Sequence, residues 1–237
     1  MQISLILRPP SELRIPFNYN HQLQSAIYAK LREVGCSDFW HDDGFASVNR
    51  YKGFVFGSLN GRHYTKDKHF HFTDDIAFEV RSPAFEFCDS LQRSVERNSS
   101  IKLFDTDLQI VGAALRNRHF SDGTAEFLTN SPVTAYRTEP DGKTTFFVPG
   151  TDDFSEYLLM NYRNKFEALF DKPADDVEIK AVLPMKKVVT NFKGTWINGY
   201  KGRFILRGAS RALEFIYNAG LGAKSSQGFG LLDAVGD

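Results

Sequence analysis

Apolar and polar residues alternate from Gln2 to Leu7, with Ile3, Leu5 and Leu7 on one side, which predicts a strand with one buried face. Near Asn20 the period lengthens. Leu23, Ile27 and Leu31 recur at i, i+4 and i+8 as one stripe of an amphipathic helix. Extended segments follow around Phe54 to Leu59, His69 to Phe72 and Ala77 to Val80. A second helix after Pro83 buries Phe85, Cys88 and Leu91, and Ile101 to Leu115 is extended again. The order is β-α-β-β-α-β.

A polar linker from Arg116 to Thr124 separates this half from a second run of the same order. A strand at Val133 to Tyr136 and an inserted hairpin strand at Thr144 to Val148 precede a helix from Phe154 to Phe170, with Leu158, Tyr162, Phe166 and Leu169 on one side. Strands at Val177 to Leu183 and Arg203 to Leu206, a helix at Ser210 to Ala219 and a closing strand at Phe229 to Val235 complete it. The expectation is an α+β protein of two tandem ferredoxin-like units, residues 1–116 and 125–237, the topology of RNA-recognition modules.

At 237 residues the chain suits one large domain or two of about 100 to 120 residues each, and its 42% hydrophobic content is ordinary for a globular protein. It has no apolar run long enough to span a bilayer, and its N-terminus lacks the basic start and apolar core of a signal peptide. Cys36 and Cys88 cannot build a disulfide framework or a zinc site by themselves. A cytoplasmic location, no metal and no cofactor are expected.

The net charge of zero hides a strong asymmetry. Asp152 to Glu178 holds eight acidic residues against Arg163, Lys165 and Lys172, whereas Met185 to Arg211 holds seven basic residues and no acid. That basic stretch interleaves Lys187, Lys193, Lys201 and Arg203 with Phe192, Trp196, Tyr200 and Phe204, a pattern that suits phosphate contacts and base stacking. A solvated strand face with half-buried aromatics is the plain alternative. His69 and His71 alternate on one strand face without a third ligand nearby, so they are read as solvent-facing.

Between the last helix and the last strand lies Gly220-Leu221-Gly222-Ala223-Lys224-Ser225-Ser226-Gln227-Gly228-Phe229-Gly230. Gly220, Gly222, Gly228 and Gly230 allow close backbone approach, and with Lys224 and Ser225 they suit a cradle for phosphates. No Gly-Lys-Ser/Thr tripeptide follows, and the loop leads into a strand, so neither nucleotide-binding pattern fits. A nucleic-acid backbone is the favoured ligand, with a helix C-cap and tight turn as the structural alternative.

Three blocks carry a resemblance: residues 15–28, Ile-Pro-Phe-Asn-Tyr-Asn-His-Gln-Leu-Gln-Ser-Ala-Ile-Tyr; residues 39–45, Phe-Trp-His-Asp-Asp-Gly-Phe; and the terminal Gly-x-Gly-x5-Gly-Phe-Gly. In this order they resemble the CRISPR-associated endoribonucleases of the Cas six family, within the repeat-associated mysterious protein superfamily. The resemblance implies metal-independent cleavage of precursor CRISPR RNA by a ribose 2′-hydroxyl, leaving a 2′,3′-cyclic phosphate and a 5′-hydroxyl. It also implies CRISPR repeat RNA as partner, and admits a homodimer or other CRISPR-complex subunits.

By the same resemblance His41 matches the family's general acid or base, Tyr28 the second proton-transfer group, and Lys52 the cation beside the charged transition state. Taken alone, each has a structural reading: a hydrogen-bonding histidine, a half-buried helix tyrosine, a strand-end lysine. His21 and His63 stand in reserve. A non-catalytic RNA-binding subunit would share the fold and the loop but need no titratable set.

Overall fold

The computed structural model describes residues 1–36, 40, 44–45 and 51–236. Elements run in chain order as β1 (Gln2–Arg8), β2 (Leu13–Pro16), α1 (Asn20–Arg32), β3 (Val55–Phe56), β4 (Asn60–Lys66), β5 (His69–Arg81), α2 (Phe85–Arg97), β6 (Ser100–Leu103) and β7 (Thr106–Arg116). Then follow β8 (Gly123–Thr129), β9 (Tyr136–Thr138), β10 (Thr144–Phe146), α3 (Asp152–Phe170), β11 (Val177–Phe192), β12 (Thr195–Gly208), α4 (Ser210–Ala219) and β13 (Leu232–Ala234).

In the first unit β7, β1, β5 and β4 are antiparallel neighbours, with β6 beyond β7 and short β2 and β3 also on β5. In the second the order is β13-β8-β12-β11, again antiparallel. Both are the ferredoxin-like arrangement, with each sheet covered on one face by its pair of helices. The apolar stripe of α1 packs with Ile3, Leu5, Phe56, Phe78 and Phe87 in one core, and Leu158, Tyr162 and Phe166 of α3 pack with Phe127, Phe204 and Phe215 in another.

Helix limits match the sequence expectation closely; several strands differ. The second unit begins with β8, not at Val133, which forms only an isolated bridge to Tyr200. Here Ala125 and Phe127 face the core while Leu128 is exposed, a short alternation hidden by the polar residues before it. The segments at 69–72 and 77–80 are one strand, β5, which tolerates the two acids between them because Asp74 is exposed and Asp75 is paired to Arg8. Residues 177–183 and 203–206 are parts of a much longer hairpin, β11–β12, that extends to its tip at Lys193 and Gly194.

The histidine reading of β5 also needs correction. His71 is buried rather than solvent-facing, its Nδ1 lying 2.7 Å from Glu12 Oε1 and its ring stacked on Tyr64 at 4.7 Å. The small strand β2 makes this possible, because its Arg14 pairs with His71 in register and brings Glu12 over the sheet edge.

Candidate functional site

The two units meet along α1. Its N-terminal residues are polar on the side away from the apolar stripe, and they bind backbone of the second unit. Asn20 Nδ2 donates to the carbonyls of Gln227 and Gly228 at 3.0 and 3.3 Å, and Gln24 Nε2 donates to Ser226 O at 2.7 Å. The tip of the β11–β12 hairpin arrives beside them: Asn191 N donates to Asn18 Oδ1 at 3.0 Å, and Phe192 meets the His21 ring edge-on at 5.7 Å. Burial lowers the His21 pKa, and the nearby Lys193 cation lowers it further. An imidazole whose charged form is disfavoured therefore stands next to a lysine cation where the helix, the hairpin tip and the glycine-rich loop converge.

Seven residues further along α1, on the same face and about 10 Å away, is Tyr28. Its ring is buried edge-on against Phe54 at 5.6 Å, and its hydroxyl donates to Trp40 O at 3.3 Å. Lys52 is half-buried, and a Cβ added to Gly44 would lie 3.2 Å from its Cδ. Tyr28 and Lys52 thus touch Trp40 and Gly44, the described residues on either side of positions 41–43. His41 lies outside the described residues.

The glycine-rich loop is not the open cradle expected from its composition. Gly220, Gly222, Gly228 and Gly230 are all buried, as is Ser225. Amides of Leu221, Ala223, Gly228 and Gly230 are already given to the carbonyls of Gly230, Thr134, Ser225 and Pro132. At Gly222, φ is +79° and a Cβ would lie 2.5 Å from Thr134 O; at Gly230, φ is +84° and a Cβ would overlap Leu221 O. These glycines let the chain pack between the units, with Gly220 against Val55 and Gly228 against Phe56. The accessible part of the loop is Lys224, Ser226 and Gln227.

Lys165, which the sequence reading counted only among the cations of an acidic segment, holds the inside of this loop. Its Nζ donates to Gly220 O at 2.9 Å and Gly222 O at 2.7 Å and stands 5.5 Å from the Tyr51 ring centroid, next to Lys52. Full burial lowers its pKa to about 7. A signal existed in the sequence: Lys165 is seven positions after Leu158 and so falls on the apolar stripe of α3. Arg81 is a second buried cation of the seam, bonded to the carbonyls of Tyr217 and Leu232 and to Asp233.

The remaining basic candidates lie on the second unit but not at one point. Lys187 and Lys193 are exposed on the β11–β12 hairpin, and eight residues of strand put Lys201 roughly 26 Å from Lys193. Lys201 is mostly enclosed, which lowers its pKa; Asp233 opposes that shift and Lys186 adds to it. Arg203 is in an ion pair with Glu126 at 2.7 Å. Lys224 projects its ammonium over the Tyr136 ring, 4.8 Å from the centroid. Of the four aromatics in the basic stretch only Trp196 is exposed, at 63%; Phe192, Tyr200 and Phe204 are core residues. Register puts Trp196 opposite Asn191 on the face that also carries Val189 and Lys187. His63 is exposed on β4, its ring against Phe70 and Phe72.

The family model described as "CRISPR associated protein Cas6, C-terminal" matches residues 115–234, half of the chain. The chain belongs to the Cas6 family. It is 24% identical over 245 residues to CRISPR-associated endoribonuclease Cas6 1 of Methanocaldococcus jannaschii, covering 100% of this chain and 94% of that protein. Among solved structures, a Cas6-related protein of Pyrococcus furiosus shares the fold with a TM-score of 0.86 at 21% identity, over 100% of this chain and 99% of the other. A protein described as "An RAMP protein binding different RNA substrates" shares it at 0.84 and 20% identity, over the whole of both chains. The Cas6 match runs over all of β8–β13 and so includes the loop, the hairpin and helix α3. No helix among the described residues is long and apolar enough to cross a membrane.

Proposed function

We propose that this chain is an endoribonuclease that binds CRISPR repeat RNA and cleaves precursor CRISPR RNA without a metal ion. The end-to-end likeness to the M. jannaschii endoribonuclease carries the reading, since it spans both units and therefore the seam where the candidate residues stand. The backbone of the RNA follows the hairpin cations and Lys224 of the second unit, and the scissile phosphate lies against the first unit beside Tyr28 and Lys52.

In the reaction a base removes the proton of the ribose 2′-hydroxyl, that oxygen attacks the adjacent phosphorus, and the 5′-oxygen leaves with a proton from an acid. Two proton carriers and one cation suffice. His41 takes one proton role and Tyr28 the other, while Lys52 offsets the extra negative charge of the pentacoordinate phosphate. The Tyr28 hydroxyl rests on a carbonyl in the ground state, so it already has a hydrogen-bonding direction to exchange for a phosphate oxygen.

The test is incubation of the purified chain with repeat RNA in excess chelator. Cleavage to a 2′,3′-cyclic phosphate is expected, with loss of cleavage but not of binding in His41→Ala or in RNA lacking the 2′-hydroxyl at the cut. Cleavage that needs a metal, or that survives removal of the 2′-hydroxyl, refutes the mechanism. The structural likeness to an RNA-binding RAMP protein favours a second reading, a non-catalytic RNA-binding subunit, which predicts binding without cleavage.

A further inference from the structure

The β9–β10 hairpin and the first half of α3 line an open pocket of about 550 Å³. Three of its walls are aromatic: Tyr136, Phe147 and Tyr157, with Tyr157 at 6.2 Å from Tyr136 and 5.8 Å from Phe147 between ring centroids. Two of these rings carry a cation on the face or edge. Lys224 stands over Tyr136, and the Arg137 guanidinium lies 5.8 Å from the Phe147 centroid. The remaining polar lining is Thr138 and, exposed and one turn apart on α3, the carboxylates of Asp153 and Glu156. Among the described residues neither has a hydrogen bond or ion pair through its carboxylate.

This combination selects a ligand. The volume suits a small planar group, and the rings offer it stacking surface. Two carboxylates in the lining repel a phosphate, so the backbone of a nucleic acid stays outside. The same carboxylates accept hydrogen bonds from an exocyclic amino group, as acidic side chains do from cytosine. Lys224 offers a cation at Tyr136, and Arg137 offers a second beside Phe147, although its Nε already pairs with Glu139 at 3.0 Å and must give up part of that partner to a phosphate. Lys224 also links the pocket to the seam between the units, because it belongs to the accessible part of the glycine-rich loop, whose Ser226 carbonyl is bonded by Gln24 of α1.

We propose that this pocket holds one unpaired, amino-bearing nucleobase of the bound RNA, adenine or cytosine, stacked on Tyr136 and Tyr157, with its flanking phosphates at Lys224 and Arg137. The proposal rests on the RNA-binding reading above and assigns part of its sequence preference to a site away from the scissile phosphate.

The test uses the full chain with short oligoadenylate and oligouridylate, followed by fluorescence anisotropy at several salt concentrations. The wild type is expected to bind oligoadenylate about tenfold more tightly, the scale of one stacked base. Tyr136→Ala is expected to lose that margin with the salt slope unchanged, Tyr136→Phe to keep it, and Asp153→Asn with Glu156→Gln to bind both RNAs equally. A 2-aminopurine placed in the oligoadenylate is expected to be quenched on binding to the wild type, a readout independent of how the variants fold. Failure of the wild type to bind either RNA overturns the RNA-binding reading itself. Binding that is indifferent to base in the wild type, a probe left unquenched, or a folded Tyr136→Ala that keeps the margin overturns the pocket alone.

Discussion

Lys165 Nζ donates a 2.7 Å hydrogen bond to the carbonyl of Gly222, so a buried ammonium from an acidic helix holds the inner turn of the glycine-rich loop. Its burial disfavours the charged form and lowers its pKa from 10.5 to about 7. Between those values the unfolded chain holds one more proton than the folded chain. Stability therefore rises with pH across that window, by up to about 1.4 kcal/mol per unit from this group. Urea midpoints of the wild type are expected to climb from pH 7 toward pH 10 relative to Lys165→Met. Parallel pH profiles of the two proteins would contradict it.

The same loop predicts a large cost for a single methyl group. Gly230→Ala places a Cβ on Leu221 O at a φ of +84°, and the strain and the overlap can be relieved only by separating the Gly230 and Leu221 backbones, which breaks the Leu221 N to Gly230 O hydrogen bond that closes the loop. A loss of roughly 3 kcal/mol or more is expected from thermal or urea unfolding. Gly142→Ala, also at positive φ but with nothing within 4 Å, is the control and is expected to lose about 1 kcal/mol. Equal losses at the two positions would show that packing of the loop is unimportant.

Much of this was legible in the chain, for reasons that differ by element. The helices were readable because Leu23, Ile27 and Leu31, or Leu158, Tyr162 and Phe166, repeat on one face over several turns. The long hairpin was not, because β11 after Leu183 and β12 before Arg203 alternate only weakly and carry polar residues on both faces near the tip. The glycine-rich loop was found but the burial of its glycines was not: glycines needed for close packing and glycines needed to cradle an anion look alike in sequence. What separates them is the partner. Val55, Phe56 and Thr134 come from distant parts of the chain, and only the fold brings them to the loop.

His21 and Lys193 give a direct measure of whether the hairpin tip docks on α1 in solution. Burial depresses the imidazole pKa first, and the Lys193 charge adds to the depression. Lys193→Ala is expected to raise the His21 pKa in an NMR titration while leaving it below the ordinary value, because burial by Phe192 persists. An unchanged His21 titration would mean that the tip stands away from the helix.

Tyr28→Phe removes one oxygen and leaves the ring packed on Phe54. If the hydroxyl carries a proton in the reaction, single-turnover cleavage of repeat RNA is expected to fall about 100-fold, with RNA affinity within twofold. A purely structural tyrosine would instead show a modest loss of stability from the missing bond to Trp40 and no change in rate.

The basic residues of the second unit should not contribute equally to RNA affinity, although they look alike in sequence. Lys187 and Lys193 are exposed, and Lys224 is engaged only with a ring face, so each is available to a phosphate. Arg203 already faces Glu126 at 2.7 Å and must give up that partner before it gains another. In single-stranded RNA each neutralised phosphate contributes about 0.7 to the slope of log affinity against log salt. Lys187→Ala, Lys193→Ala and Lys224→Ala are therefore each expected to flatten the slope by about that amount, and Arg203→Ala by clearly less. The measurement is anisotropy with a labelled repeat RNA over a salt series. A slope that falls most in Arg203→Ala would move the RNA path from the hairpin and loop onto the open face of the β8–β12 sheet, where Arg203 lies beside Leu128.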